Sequence, residues 1–244
     1  MLKTGYEDYS GVFFVKVCEY LSVRRAYGLV RQTTPATSRV TFDELGILCH
    51  LANVNGPLRT SQIAEYQGVL RPTMTHRTGH LAELGLIERK PGERDRRNVY
   101  CHLSSTGVVA IRRMVADVCR NIKTDMPLGR CTDERMMRII DGAAQISFSS
   151  ADLVLMQLAF CSDDGDGLGS VGGLVDGLGL LQPTVSMAAS SLKRAGYIER
   201  GDTPGQAALS IAITESGRAR AEKLVAQVAE FRPARARARK SSVL

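Results

Sequence analysis

The stretch at residues 68–89, GVLRPTMTHRTGHLAELGLIER, recurs without a gap at residues 179–200 as GLLQPTVSMAASSLKRAGYIER. Gly68/Gly179, Leu70/Leu181, Pro72/Pro183, Thr73/Thr184, Leu81/Leu192, Gly85/Gly196, Ile87/Ile198, Glu88/Glu199 and Arg89/Arg200 are identical. A supersecondary unit used twice restricts the chain to two related units, either as separate domains or as one domain built from both. With 244 residues and ordinary apolar content there is enough material to bury a core for each.

Each copy has the start and stop signals of a helix. Pro72 and Pro183 stand where the first turn needs no backbone donor, and Gly85 and Gly196 suit a left-handed cap. Met74, Thr78 and Leu81 in the first copy, and Val185, Ala189 and Leu192 in the second, share one face at helical spacing, which predicts the buried side. The opposite face of the first copy is expected to carry Thr73, Thr75, His76, Arg77 and His80. These hydrogen-bonding side chains suit a reading surface better than the Glu and Lys of a solvated face. In the second copy the corresponding residues are Thr184, Ser186, Met187, Ala188 and Ser191, with Lys193 and Arg194 near the helix end.

The rest of the chain takes its order around these helices. Residues 9–31 read as a long amphipathic helix, 41–51 as a helix with Leu45, Leu48 and Leu51 in register, and 60–66 as a short helix. Residues 86–103 have the strand, turn, strand order of a hairpin with Pro91-Gly92 at the turn. Arg94, Asp95, Arg96 and Arg97 fall at its tip or return. Residues 104–123 and 131–146 return to helices, and from Ser149 the cycle repeats through a last helix ending near Val228.

The net charge is +7, and Arg232, Arg235, Arg237, Arg239 and Lys240 supply five of those charges, leaving about +2 for the remainder. A basic folded surface must therefore be local. The basic tail is expected to be disordered and to add phosphate contacts in a nucleic-acid-binding chain. The six cysteines form neither CxxC pairs nor a disulfide framework, so they are expected to be reduced thiols. No stretch approaches a membrane span and no signal peptide is evident, so the expectation is a cytoplasmic protein without a membrane partner.

Other chemistries fit poorly. Residues 167–172 satisfy GxGxxG, but Lys193 and Arg194 stand where a ribose-binding acid is needed and no βαβ order surrounds them. Asp164 and Asp166 lack the later ligands of a calcium loop. His76 and His80 are four apart yet do not complete a metal site. Neither catalytic residues nor a metal or cofactor is predicted, and the chain is not expected to be an enzyme. Cys18, near Tyr20, reads as a core cysteine.

The order helix, helix-turn-helix, hairpin, long helix resembles the winged helix-turn-helix regulators of the MarR family. The resemblance is carried by residues 45–51, residues 63–85, and LIERKPGERDRRNVYCHLSSTG with its Asp95-Arg96-Arg97. It extends over residues 7–146; the second copy is similar but its wing, RGDTPGQAALSIAITESG, lacks the Asp-Arg-Arg. The double unit resembles tandem Sar-type members, in which one polypeptide imitates a dimer.

That resemblance implies a mainly α fold with small β-hairpin wings, two tandem winged units on a shared helical platform. The expected division is 1–128 for the first unit with its dimerisation-type helix, 129–231 for the second, and 232–244 for the tail. The implied partner is double-stranded DNA. Thr73, Thr75, His76, Arg77 and His80 would face the major groove, Arg94, Arg96 and Arg97 the minor groove, and Asp95 would orient a neighbouring arginine. Thr184, Ser186, Lys193 and Arg194 would do the second unit's share, mostly positioning. The implied spacing of recognition helices is about 34 to 36 Å. A small-molecule effector would sit between the platform and the winged domains, and the chain would act as a pseudo-dimeric monomer or as a homodimer. A winged protein-interaction module with reduced DNA binding is the alternative.

Overall fold

The computed structural model describes residues 10–92, 95–123, 128, 131–160, 168–201 and 210–229. Their order is α1 (Ser10–Thr33), α2 (Phe42–Val54), β1 (Leu58–Arg59), α3 (Thr60–Tyr66), α4 (Arg71–Glu83), β2 (Ile87–Pro91), β3 (Val99–Leu103) and α5 (Ser105–Asn121), then α6 (Asp133–Ala143) and α7 (Ser150–Phe160). The second cycle continues with β4 (Leu168–Ser170), α8 (Val171–Leu178), α9 (Gln182–Arg194), β5 (Ile198–Gly201), β6 (Ser210–Ile213) and α10 (Glu215–Ala229). Both cycles are winged helix-turn-helix segments, mainly helical, each with a three-stranded antiparallel sheet in the order first, third, second. Arg89 pairs with Cys101 in one sheet and Arg200 with Ile211 in the other, so the repeat extends to strand register.

The chain falls into two compact units that are not contiguous in sequence. Of the described residues, one unit comprises Val40–Arg113 and Asp133–Gln145, and the other comprises those within 10–39, 114–132 and 146–229. The reason is where apolar faces find cover. In the first winged unit, α6 packs along α2 and buries Met136 and Ile140, so a helix beyond residue 128 completes the core of residues 40–113. In the other unit, α1 packs on α7, α8 and α10 and buries Val17, Leu21, Val23 and Ala26. Gly28 allows that approach: a Cβ there would overlap the backbone oxygen of Gly179.

Within the first winged unit, local chemistry sets each boundary. Thr41 Oγ1 accepts from the Glu44 backbone N–H at 3.2 Å while the Glu44 carboxylate accepts from the Thr41 N–H at 2.6 Å, a capping box that starts α2. Pro72 stands in the first turn of α4, and Gly85 ends its exit at φ +70. The Leu86 N–H then donates to Leu81 O at 3.0 Å, which turns the chain directly into β2. Gly196 and Tyr197 repeat this step after α9, with φ +74 and a 3.0 Å bond to Leu192 O.

A buried carboxylate joins α2, α3 and α6. Asp141, 1% exposed, accepts from Tyr66 Oη at 2.9 Å and Asn53 Nδ2 at 2.8 Å, and lies 3.2 Å from His50 Nδ1. His50 stacks on Tyr66 with ring centroids 3.6 Å apart, and Gln145 Nε2 donates to the Tyr66 oxygen at 2.8 Å. A buried charge is tolerated where donors surround it in this way. Burial first, then the Asp141 charge, pushes the Tyr66 phenol above its ordinary value, and the same two causes raise the Cys49 thiol.

Candidate nucleic-acid interface

The buried side of α4 is Met74, Thr78 and Leu81, as helical spacing predicts. Thr73, Thr75 and His76 are exposed on its outer face. Arg77 and His80 depart from the expectation. The Arg77 guanidinium forms an ion pair with the Asp43 carboxylate of α2, and its other nitrogen donates to Gln67 Oε1 at 3.0 Å. His80 Nδ1 lies 2.7 Å from Glu44 Oε1, on the carboxylate that caps α2. Both side chains brace α4 against α2 instead of standing free on its outer face. The physical reason is that Asp43 and Glu44, placed in the first turn of α2, are acids brought against the side of α4 by the helix-turn-helix.

The wing is organised by Asp95. Its Oδ1 accepts from the Arg97 backbone N–H at 3.0 Å and its Oδ2 from Asn98 Nδ2 at 3.0 Å. The carboxylate thus orients Arg97 through the main chain and the turn. Arg96 and Arg97 are exposed, while Arg94 lies outside the described residues. At the wing's base the Glu88 carboxyl is held below its usual range by Lys90, whose Nζ is 3.1 Å away.

Between the start of α3, the start of α4 and the wing lies a cleft of about 200 Å³. Four arginines line it: Arg59, Arg71, Arg89 and Arg97, with the hydroxyls of Ser61 and Thr75. The Arg89 Nε is buried without a hydrogen-bond acceptor. Behind it, burial pushes the Cys101 thiol up, offset in part by Thr60 and Arg89. Among the described residues no acid lines this cleft, so it suits the oxygens of a phosphate, which arginine can engage through paired N–H groups.

Sequence reasoning missed Arg59, Arg71 and Arg89 because they are far apart along the chain and separate elements bring them together. One signal was available in the repeat itself, where Arg71 is replaced by Gln182.

The other unit keeps the scaffold with different chemistry. By strand register, Ser170 occupies the place of Arg59, and by the repeat Gln182 and Arg200 occupy those of Arg71 and Arg89. Arg200, like Arg89, has its Nε buried without an acceptor. Thr184 and Ser186 are half-buried, and Lys193 and Arg194 are exposed near the end of α9. The Asp43, Gln67 and Arg77 brace is absent as a set: Ala151, Leu178 and Ala188 replace it, with Leu178 and Ala188 buried. Residues 202–209 at the second wing's tip lie outside the described residues.

The other candidates resolve as follows. Cys18 is buried in α1. Gly169 and Ser170 of the GxGxxG run are in β4 and lead into α8, whereas Gly167 lies outside the described residues. Among the described residues no cluster of His, Cys, Asp or Glu could hold a metal, and no helix is long and apolar enough to cross a membrane.

Two solved structures are similar to part of this chain. The YusO protein from Bacillus subtilis is 23% identical over 41% of this chain and 65% of its own, with a TM-score of 0.33. The transcriptional regulator PA4135 is 22% identical over 42% of this chain and 73% of its own, with a TM-score of 0.32. A search among curated proteins finds no significant match. The family model described as MarR family matches residues 41–99, from the cap of α2 to the first residue of β3. The helix-turn-helix and wing of residues 41–99 are therefore similar in sequence to the MarR family.

Proposed function

We propose that the chain is a sequence-specific double-stranded DNA-binding transcription regulator. In this reading α4 enters a major groove, and Thr73, Thr75 and His76 meet base edges while the wing arginines Arg96 and Arg97 follow the adjacent minor groove. The observation that carries it is the four-arginine cleft beside that exposed face. A duplex phosphate seated there would fix the register of α4, and phosphate contacts position while base contacts specify. Arg77 and His80 act in this reading by holding α4 in place and not by touching bases.

The chain would act as a pseudo-dimer, with α9 addressing the second half-site. What supports this is that each winged segment completes its core with a helix from outside its own repeat, as the halves of an intertwined dimer do. The half-sites are expected to be unequal, because Arg59 and Arg71 have neutral counterparts.

The test is binding of the full chain to sites selected from a randomised duplex pool, with light scattering to count chains per site. One chain on an asymmetric site is expected. Arg59→Ala and Arg71→Ala should each weaken binding to all sequences and lower the salt slope by about 1. Two chains on a palindrome would refute the pseudo-dimer alone. No binding at low salt would refute the regulator and leave a protein-interaction module.

A further inference from the structure

The outer face of α9 carries a chemistry that α4 lacks. Met187 is 74% exposed in the middle of that face, at the repeat position of His76, whereas the exposed leucine at the N-cap is common to both helices, Leu181 at 57% and Leu70 at 77%. Exposed hydroxyls of Ser190 and Ser191 flank Met187, and no acid occurs on α9. At the far end stand Lys193 and Arg194, and Arg200 on β5 keeps the buried, acceptor-free Nε of its counterpart Arg89. A partner for this surface must be anionic at its edges and present small apolar groups in between. Duplex DNA does both, because the thymine 5-methyl is the one apolar group in the major groove and phosphates bound that groove on either side.

We infer that α9 reads thymine methyl groups through Met187, with Arg200 engaging the neighbouring backbone phosphate, so that its half-site is chosen by apolar contact where the α4 half-site is chosen by hydrogen bonds. This rests on the DNA-binding reading above. Met187 suits the task because an unbranched thioether adapts to the uneven floor that successive methyls and base edges make. The exchange of a hydrogen-bonding His76 for Met187 changes which base is preferred, while Ser186, at the position of Thr75, keeps a hydroxyl for the backbone.

The experiment replaces each thymine of a selected site by deoxyuridine, which deletes only the methyl, and measures affinity for the full chain and for Met187→Ala. His76→Ala, which should alter preference in the other half, identifies the half-site that α9 meets. In the α9 half-site one or two deoxyuridines are expected to weaken binding about fourfold each, the equivalent of one buried methyl. Met187→Ala should lose a similar factor on the thymine site and become indifferent to the replacement. Deoxyuridine without effect in that half-site, or with the same effect in Met187→Ala, overturns the inference while leaving DNA binding intact. Failure of the chain to bind any duplex overturns both readings and is recognised by the absence of selected sites.

Discussion

Removing the Arg77 guanidinium separates bracing from base reading. Its side chain and that of Asp43 keep 17% and 18% of their surface, so the pair stands between exposed pairs, worth about 0 to 1 kcal/mol, and buried ones, whose rupture costs about 3 to 5 kcal/mol. Arg77 also donates to Gln67, which is 5% exposed and whose amide donates to Asp43 O at 2.9 Å. Arg77→Ala should therefore cost about 2 kcal/mol, because it leaves one carboxylate and one buried amide oxygen without their donor. Asp43→Ala should cost about 1 kcal/mol, since Arg77 keeps Gln67 and some water. The double variant should be more stable than the sum of these by about 1 kcal/mol, beyond the roughly 0.3 to 0.5 kcal/mol within which independent sites add. The triple variant Asp43→Ala, Gln67→Leu, Arg77→Ala copies Ala151, Leu178 and Ala188 and should recover most of the loss. Urea unfolding followed by circular dichroism, with the m-value checked for constancy, measures each corner. Additive costs, or a normal stability in Arg77→Ala combined with a relaxed base preference, would refute the bracing argument and return Arg77 to the reading face.

Three further outcomes follow from the packing. Tyr66 has its phenol raised from an ordinary value near 10, so its stabilisation is complete below that value and is lost as pH rises above it; Tyr66→Phe should cost about 1 to 2 kcal/mol at neutral pH and flatten that alkaline loss in a melting series. Cys49 and Cys101 are fully buried with raised thiol values, whereas Cys119 and Cys131 are partly exposed, so maleimide at pH 7.5 should modify the latter two first; prior labelling of Cys49, read by peptide mass, would contradict the burial. A Cβ at Gly107 would overlap the Leu86 backbone oxygen, so Gly107→Ala should destabilise by about 1 to 3 kcal/mol, and an unchanged melting temperature would show that α5 can shift.

The helices around the repeat were legible because their signals are local. Pro72 and Gly85, Pro183 and Gly196, and the apolar spacing of Met74 and Leu81 depend on neighbours within a turn or two. The same holds for the hairpins and for the neutral face of α9. The resemblance of residues 41–99 to the MarR family was legible too, because Asp95-Arg96-Arg97 is a contiguous turn whose carboxylate bonds to residues two and three positions on.

Partnership across elements was not legible. On α4, Thr73, Thr75, His76, Arg77 and His80 all belong to a polar side by composition, and only the arrival of Asp43 and Glu44 from α2 separates the braces from the free groups. Arg59, Arg71 and Arg89 are unremarkable apart, and become one phosphate-sized cleft when β1, α4 and β2 meet. The sequence by itself determined the repeat, the helix limits, the wings and the kind of fold, since these follow from backbone geometry and short-range periodicity. The tertiary structure decided which helix completes which core and which cations remain available, because ion pairs and apolar cover are settled by distances between segments that the linear order leaves open.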